Sequence, residues 1–147
     1  MISETNGGFL ISQIKQVSGR IFEKLLTQAN VDAFNGAQGR ILYVLWQQDN
    51  IPIVTLSNKT GLAKTTLTSM LDRMEGLELV QRTYDARDRR QIRIALTKQA
   101  RSLQHKYDNV SQQMNEIYYA GFSDPEIISF ENMLQRILTN LNESEKQ

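Results

Sequence analysis

Two groups of residues in the middle of the sequence have the types and spacing that suit contact with a polyanion. One is a run in which six of the nine residues 85–93 are charged: Asp85, Arg87, Asp88, Arg89, Arg90 and Arg93. The other is a polar, acid-free stretch upstream, which contains Lys64, Thr65, Thr66, Thr68 and Ser69. Guanidinium groups bind phosphate, whereas hydroxyl and methyl groups contact base edges in a DNA groove. What these residues do depends on the elements that carry them.

The charge of the chain is unevenly distributed, although its net value is only +1. Residues 61–101 contain nine Lys or Arg against five Asp or Glu, whereas residues 102–147 contain three against seven. A basic block within a nearly neutral chain indicates that one part of the surface faces a polyanion. Both groups of residues lie in that block.

Composition argues against several other functions. The chain has no cysteine and one histidine, so we predict no disulfide, no metal site and no cofactor. A hydrolase triad built from His105, Asp108 and Ser111 is excluded, because residues at i, i+3 and i+6 of one helix do not converge. We therefore expect no enzyme. The sequence also shows neither a signal peptide nor a long apolar run, which predicts a cytoplasmic protein without a membrane partner.

Apolar periodicity predicts four helices before the charge run. The first covers about 9–29, and the second opens with the capping box Asn35-Gly-Ala-Gln38 and ends at 49–52. A short third helix at about 53–60 stops at Gly61, and a fourth covers about 63–75.

Two strands, at 79–84 and 91–96, flank the charge run and form a hairpin. Thr97 is a plausible N-cap for a long helix to about Tyr119, and a capping box at Ser123 opens the last helix. Because a two-stranded hairpin is marginal alone, it must pack on the preceding helices. The predicted fold is mainly α with a small β-hairpin wing, which is a winged helix-turn-helix.

The fourth helix has the pattern of a recognition helix. Leu67, Met70, Leu71 and Met74 recur at helical spacing and are expected to face inward. The opposite face presents Lys64, Thr65, Thr68, Ser69 and Asp72, and it is flanked by Thr66 and Arg73. Threonine stabilises a solvated helix poorly, so a role in reading the DNA major groove explains its use here better than helix stability does. The alternative is an ordinary amphipathic surface helix.

The hairpin tip is then expected to lie over the adjacent minor groove, where an arginine meets enhanced negative potential. We predict that Arg90 enters this groove and that Asp88 holds its guanidinium through a bidentate pair. Arg87, Arg89 and Arg93 would face phosphates. The alternative is a solvated loop.

The central segment resembles the MarR family of transcription regulators. The matching stretches are TGL at 60–62, TTLTSMLDRM at 65–74, LV at 79–80, DARDRR at 85–90 and IALT at 94–97. The helical flanks match as well, so the resemblance covers nearly the whole chain. One departure is Glu78, because the family usually has glycine immediately before the first wing strand; the entry angle of the wing is therefore open.

The resemblance implies a homodimeric DNA-binding regulator, most often a repressor, on a pseudo-palindromic operator. It implies a winged helix-turn-helix domain at 35–97 and a helical dimerisation domain at 8–34 and 98–142. It also places base contacts on the fourth helix, the minor-groove arginine at Arg90 with Asp88 as its partner, and a contact to phosphate or to the wing at Arg73. Small aromatic or anionic ligands release many members from DNA.

Two alternatives stay open at the level of sequence. The low net charge is compatible with a winged-helix adaptor that binds protein and does not read DNA. A ligand pocket has no assigned residues, since the apolar candidates are equally suited to a core; these candidates are Phe9, Val17, Phe22, Trp46, Met70 and Met74.

Overall fold

The computed structural model describes residues 4–147, which form seven helices and three short strands. The helices are α1 (Gly7–Gln28), α2 (Gly36–Gln47), α3 (Ile53–Thr60), α4 (Lys64–Gly76), α5 (Lys98–Arg101), α6 (Gln104–Tyr118) and α7 (Asp124–Glu145). The strands are β1 (Ile51–Pro52), β2 (Val80–Tyr84) and β3 (Ile92–Leu96). The described chain divides into two compact units, one that ends at Gln113 and one that covers Met114–Gln147. Between residues 4 and 147, no helix is long and apolar enough to cross a membrane.

Two helices begin at the capping boxes that the sequence predicts. At the start of α2, Asn35 Oδ1 accepts the N–H of Gln38 at 2.8 Å, and Gln38 Oε1 accepts the N–H of Asn35 at 3.0 Å. At the start of α7, Ser123 and Glu126 make the same reciprocal pair. Because the Glu126 carboxylate accepts the Ser123 backbone N–H, its pKa is lowered. Both predictions are confirmed, since each box satisfies N–H groups that have no partner within the helix.

The sheet has one strand more than expected. All three strands are antiparallel in the order β1-β3-β2, with Ile51 opposite Ile94 and Tyr84 opposite Ile92. The prediction of a two-stranded hairpin was therefore incomplete. A strand of two residues is too short to leave an alternating pattern, and Pro52 is tolerated because β1 is at the edge of the sheet.

The helix predicted from Thr97 to about Tyr119 is interrupted, so that prediction was wrong. Thr97 does cap α5, since its Oγ1 accepts the N–H of Ala100 at 3.1 Å. However, the carbonyl of Ala100 accepts the indole N–H of Trp46 at 3.1 Å and the N–H of Leu103 at 3.1 Å. These bonds replace the regular helical bond, and the chain restarts as α6.

The core of the first unit joins the helix-turn-helix to the sheet. Fully buried side chains come from α2, α3, α4 and β3: Ile41, Leu42, Leu45, Leu56, Leu67, Leu71, Met74 and Ile94. Burial of each such side chain contributes roughly 1.5–3 kcal/mol to folding. This shared core holds β2 and β3 beside α4.

An aromatic cluster around Tyr107 joins the first half of α6 to α1 and α2. The Tyr107 ring lies 5.7 Å from Phe22, 6.0 Å from Phe34 and 5.3 Å from Trp46, measured between ring centroids. Burial raises the pKa of Tyr107. Gly39 packs against this ring, and a side chain there would meet it. The cluster therefore packs α6 against α1 and α2, a contact that the periodicity of the sequence does not reveal.

The second unit contains the end of α6 and all of α7. The Tyr119 hydroxyl donates to Glu131 Oε2 at 2.6 Å, and its ring makes edge contacts with Phe122 and Phe130. Partial burial and this hydrogen bond raise the pKa of Tyr119 to about 12. Within α7 no residue is buried in the single chain.

Each unit leaves apolar side chains exposed. On α1 they are Phe9, Leu10, Ile11, Ile14 and Val17. On α7 they are Ile128, Met133, Ile137, Leu138 and Leu141. Clusters of exposed apolar residues on helices are typical of surfaces that bind another protein. The division into a DNA-binding domain at 35–97 and a dimerisation domain at 8–34 and 98–142 stays a prediction.

Candidate nucleic-acid interface

The turn between α3 and α4 is fixed by local hydrogen bonds. Gly61 ends α3 in the left-handed conformation, with φ of 74°, and donates its N–H to the carbonyl of Ser57 at 2.9 Å. The Ser57 hydroxyl crosses the turn and donates to the carbonyl of Leu62 at 2.7 Å. Glycine takes this backbone conformation without steric cost, so the turn sets a constant geometry between the two helices.

Helix α4 has one buried and one exposed face, as predicted. Leu67, Leu71 and Met74 are fully buried, whereas Met70 is only partly buried. The exposed residues of the opposite face are Lys64, Thr65, Thr66, Ser69, Asp72 and Arg73. A polar ridge therefore projects from the helix-turn-helix.

Two shallow hollows flank the polar ridge. One, of about 370 Å³, is lined by Thr65, Thr66, Ser69, Met70 and Arg73. The other, of about 400 Å³, is lined by Lys64, Thr65, Thr68, Ser69 and Asp72. Thr65 and Ser69 line both hollows, so their hydroxyls lie on the crest between them. Such a crest can enter a groove and bring short polar side chains to base edges.

Thr68 differs from the other hydroxyl residues of α4. Its Oγ1 donates to the carbonyl of Lys64 at 2.8 Å, and the residue is partly buried. The hydroxyl proton is thus used within the helix. Its methyl group and the two lone pairs of its oxygen are left for a ligand.

The wing tip is a tight turn built on two aspartates. Asp85 Oδ1 accepts the N–H groups of Arg87 and Asp88, at 2.8 Å and 3.3 Å. The carbonyl of Asp88 accepts the N–H of Gln91 at 3.0 Å. Asp88 Oδ1 also accepts the N–H of Arg90 at 3.0 Å. The bonds from the two carboxylates to backbone N–H groups are the usual way in which aspartate stabilises a turn. The aspartates of the charge run therefore shape the turn that displays its arginines.

Arg90 is a highly exposed arginine at the wing tip. Its Nε lies 3.1 Å from Asp88 Oδ1, while its side chain is 92% exposed. The expected bidentate pair is not formed, because only Nε contacts the carboxylate. In the part of the chain that the structure describes, the two terminal nitrogens of Arg90 make no protein hydrogen bond. They are free to bind a ligand.

Arg93 does not lie with the arginines of the tip. It is on β3, and its guanidinium donates to the carbonyl of Asn50 at 2.6 Å and pairs with Asp85 at 3.4 Å. Arg93 thus ties the wing to the loop before β1, and its expected contact with phosphate stays a prediction. The charge run suggested phosphate contact, but pairing with Asn50 is non-local and leaves no sequence signal. Arg87 and Arg89 are exposed at the tip.

Arg82 is a residue that the sequence analysis did not single out. From β2 it reaches α4, with Nη2 at 2.6 Å from Asp72 Oδ1 and Nη1 at 3.1 Å from Glu75 Oε1. Arg73, which was expected to contact phosphate or the wing, is exposed and lines a hollow beside α4. The ion pairs between α4 and the wing are thus made through Arg82.

Glu78 keeps the backbone conformation that glycine favours. Its φ is 61°, and its carbonyl accepts the Thr97 hydroxyl at 2.7 Å. The replacement of glycine by Glu78 therefore leaves a left-handed residue at the entry to the wing. A non-glycine residue in this region costs about 1–2 kcal/mol.

Of the apolar candidates for a ligand pocket, two belong to the core of the first unit, and a third, Trp46, is partly buried beside it. Met74 is fully buried, Phe22 is 7% exposed, and Trp46 donates its indole N–H to Ala100. Phe9 and Val17 are exposed on α1, and Met70 lines a hollow beside α4. These six residues are therefore spread over separate parts of the first unit. The ligand site stays unassigned.

Together, the fixed turn, the polar ridge of α4 and the adjoining basic strand pair define a winged helix-turn-helix domain. The family model described as "MarR family" matches residues 34–92, which include α2, α3, α4, β2 and the wing tip. The model thus matches the segment that carries the polar ridge and the wing, and the resemblance noted from the sequence is confirmed.

A curated relative and two solved structures are similar to this chain. "Uncharacterized HTH-type transcriptional regulator YsmB" from Bacillus subtilis is 33% identical over 93 residues, 63% of this chain. The chain spans 64% of the length of YsmB, which is less than two thirds. A mutant MarR from E. coli, crystallised with operator DNA, has a TM-score of 0.79 and 23% identity. The alignment covers 89% of this chain and 92% of MarR.

BpsR from Bordetella bronchiseptica, in a structure on regulation of its DNA binding by 6-hydroxynicotinic acid, has a TM-score of 0.80 and 21% identity. That alignment covers 93% of this chain and 95% of BpsR. At these identities, the structural likenesses show the fold, which confirms the predicted mainly helical fold with a wing. The prediction that the chain is not an enzyme is confirmed by the family match and by YsmB, which is named as a regulator.

Proposed function

We propose that this chain is a sequence-specific regulator of transcription that binds double-stranded DNA as a homodimer and acts as a repressor. The observation that carries the proposal is the polar ridge of α4, whose exposed hydroxyls lie beside a wing that displays Arg90. A helix with short polar side chains suits the major groove, and an exposed arginine suits the minor groove.

The residues have separate roles in this proposal. Base edges in the major groove are contacted from α4 by Lys64, Thr65, Thr66, Thr68 and Ser69. The minor groove is entered by Arg90, and Asp88 limits the freedom of its guanidinium through the contact at Nε. Phosphates are contacted by Arg73, Arg87 and Arg89, which are all exposed. A phosphate contact of Arg93 belongs to the same proposal, in addition to the contacts of its guanidinium with Asn50 and Asp85.

Two similar proteins and the exposed apolar helices support the proposal. YsmB is named as a regulator, and the MarR structure contains operator DNA. The exposed apolar faces of α1 and α7 support the homodimer, because a soluble single chain rarely leaves so many large side chains in water. Each subunit would then read half of a pseudo-palindromic operator, with half-sites about one helical turn apart.

Release by a small aromatic or anionic ligand is also part of the proposal. It is supported by BpsR, whose DNA binding is regulated by 6-hydroxynicotinic acid. A cytoplasmic location belongs to the same proposal, since a regulator has to reach the DNA that it reads.

Selection of random duplex DNA by the full-length chain, followed by sequencing, tests the proposal. We expect enrichment of a pseudo-palindrome with half-sites about 10 base pairs apart. An absence of enrichment at low salt would contradict it.

A salt titration separates DNA binding from the winged-helix adaptor. The logarithm of the affinity for the enriched duplex should fall linearly with the logarithm of salt concentration, because phosphate contacts release counterions. An interaction module with an apolar protein interface would bind its partner with little salt dependence and would not retain DNA.

A further inference from the structure

We propose that Arg82 is a positioning residue that holds the wing at a fixed place beside α4. The inference rests on the proposed DNA binding, in which α4 reads one groove and the wing enters the next. Two elements that read neighbouring grooves must keep a constant separation if both are to fit one site. Arg82 joins them by polar contacts, in addition to the shared apolar core.

The contacts of Arg82 all run from the middle of β2 to α4. Its Nη2 donates to Asp72 Oδ1 at 2.6 Å and to the carbonyl of Thr68 at 3.4 Å. Its Nη1 donates to Glu75 Oε1 at 3.1 Å, and its backbone N–H donates to Glu75 Oε2 at 3.2 Å. A planar guanidinium that makes several bonds in different directions fixes orientation in a way that a single ion pair does not.

Arg82 is poorly placed to bind DNA itself. Its side chain is 21% exposed, compared with 92% for Arg90. Both terminal nitrogens are already directed at acceptors on α4. The cation therefore acts within the protein, whereas Arg90 is left for the ligand.

The arrangement also explains why a DNA-reading helix contains carboxylates. Asp72 and Glu75 are the two acidic residues of α4, and uncompensated they would repel the phosphate backbone. Both carboxylates pair with Arg82. Because exposed ion pairs add little to folding stability, their main effect here is expected on geometry.

Charge-changing variants separate positioning from electrostatic attraction. The double variant Asp72→Asn with Glu75→Gln makes the protein more positive, so electrostatics alone predicts tighter binding to any DNA. If Arg82 acts by positioning the wing, this variant should instead lose selectivity. Its preference for the enriched duplex over a scrambled duplex should fall about fivefold or more. Arg82→Gln should lower the same preference, although it changes the net charge in the opposite direction.

Arg101→Gln is the matched control, because Arg101 forms a comparable ion pair with Asp49 at 2.9 Å that does not involve α4. It is expected to keep the preference of the wild type. Hydrogen exchange gives a second readout: amides of β2 should exchange faster in Arg82→Gln, while those of α2 should not. Arg82→Lys keeps the charge but cannot bridge both carboxylates, so it should fall between wild type and Arg82→Gln.

The outcomes are distinguishable. If the wild type shows no preference for any duplex, the proposed function fails and the role of Arg82 fails with it. If the wild type is selective and the Asp72→Asn, Glu75→Gln variant binds the enriched duplex as well or better with the same preference, the positioning role is overturned and DNA binding stands. The carboxylate variants are close in shape to the native residues, so they decide the question even if Arg82→Gln folds poorly.

Discussion

Asp88 Oδ1 accepts two hydrogen bonds from Arg90, one from the backbone N–H at 3.0 Å and one from Nε at 3.1 Å. A single carboxylate oxygen thus links the path of the wing turn to the direction of the guanidinium. In the described residues, the two terminal nitrogens of Arg90 make no hydrogen bond to protein. We propose that Asp88 in this way orients Arg90 for entry into a minor groove before DNA is bound.

Replacement of Arg90 by alanine is expected to weaken binding to the enriched duplex by about 1–3 kcal/mol. Lysine at this position should not restore binding, since it lacks the planar donor group. Fluorescence anisotropy at matched salt measures the effect. Lys146→Ala, which removes one positive charge near the end of the chain, is the control and should bind like the wild type. Equal affinities for wild type and Arg90→Ala would rule out the role of Arg90.

Glu78→Gly is expected to stabilise the fold. Glycine relieves the strain of φ at 61°, and this gain exceeds the extra entropy of the unfolded chain, which leaves a net of roughly 0.5–1 kcal/mol. Thermal unfolding followed by circular dichroism should show a melting temperature higher by a few degrees. Leu77→Gly is the matched control, since Leu77 has φ of −84° and should lose stability. A lower melting temperature for Glu78→Gly would show that no strain is stored there.

Gly39→Ala is expected to destabilise the first unit by about 1–3 kcal/mol, because packed cores tolerate added volume poorly. Its Cβ would lie 2.8 Å from Cε2 of Tyr107, an aromatic ring held in a cluster. Gly76→Ala is the control, since nothing lies within 4 Å of a Cβ at that helical position. Urea unfolding should separate the two variants. If Gly39→Ala unfolds at the same urea concentration as the wild type, the contact with Tyr107 is looser than described.

The Tyr119–Glu131 pair predicts a loss of stability at high pH. The folded pKa is raised to about 12 by partial burial and by the bond to Glu131, whereas an unfolded tyrosine titrates near 10. Between those values the unfolded chain binds fewer protons, so the free energy of unfolding falls as pH rises. The contribution of Tyr119 to the free energy of unfolding is fully present below about pH 10 and is lost as the pH passes about 12.

Urea unfolding at several pH values between these limits should show a steeper decline for the wild type than for Tyr119→Phe. Tyr84→Phe, which alters an exposed tyrosine of the wing, should decline like the wild type. Identical profiles for the wild type and Tyr119→Phe would remove Tyr119 from the explanation.

Local signals made much of the fold predictable from sequence. The boxes at Asn35 and Ser123 and the left-handed Gly61 depend on neighbours three or four residues away, so residue types alone reveal them. The strand β1 and the break before α6 depend on distant partners. Ile51 pairs with Ile94, and Trp46 binds the carbonyl of Ala100, and neither pairing has a local pattern.

The candidate site shows the same division. The polar residues of α4 and the turn at Asp88 were found from spacing, because both are local. Arg82 was missed and the protein partners of Arg93 were not foreseen, since each arginine finds its partners only when β2 or β3 is brought beside another element. The end of α4 and a turn lie between Asp72 and Arg82 in the sequence, so no local spacing pattern links the two residues.

We expect the exposed hydroxyls of α4 to read base edges in the major groove. The triple variant Thr65→Ala, Thr66→Ala, Ser69→Ala tests it most directly, because alanine favours the helix and leaves the net charge unchanged. Affinities of wild type and variant should be measured for the enriched duplex and for a scrambled duplex at the same salt concentration. We predict that the variant keeps its affinity for the scrambled duplex and loses about tenfold or more of its preference for the enriched one. An unchanged preference would show that these hydroxyls do not read the bases and that another part of the molecule does.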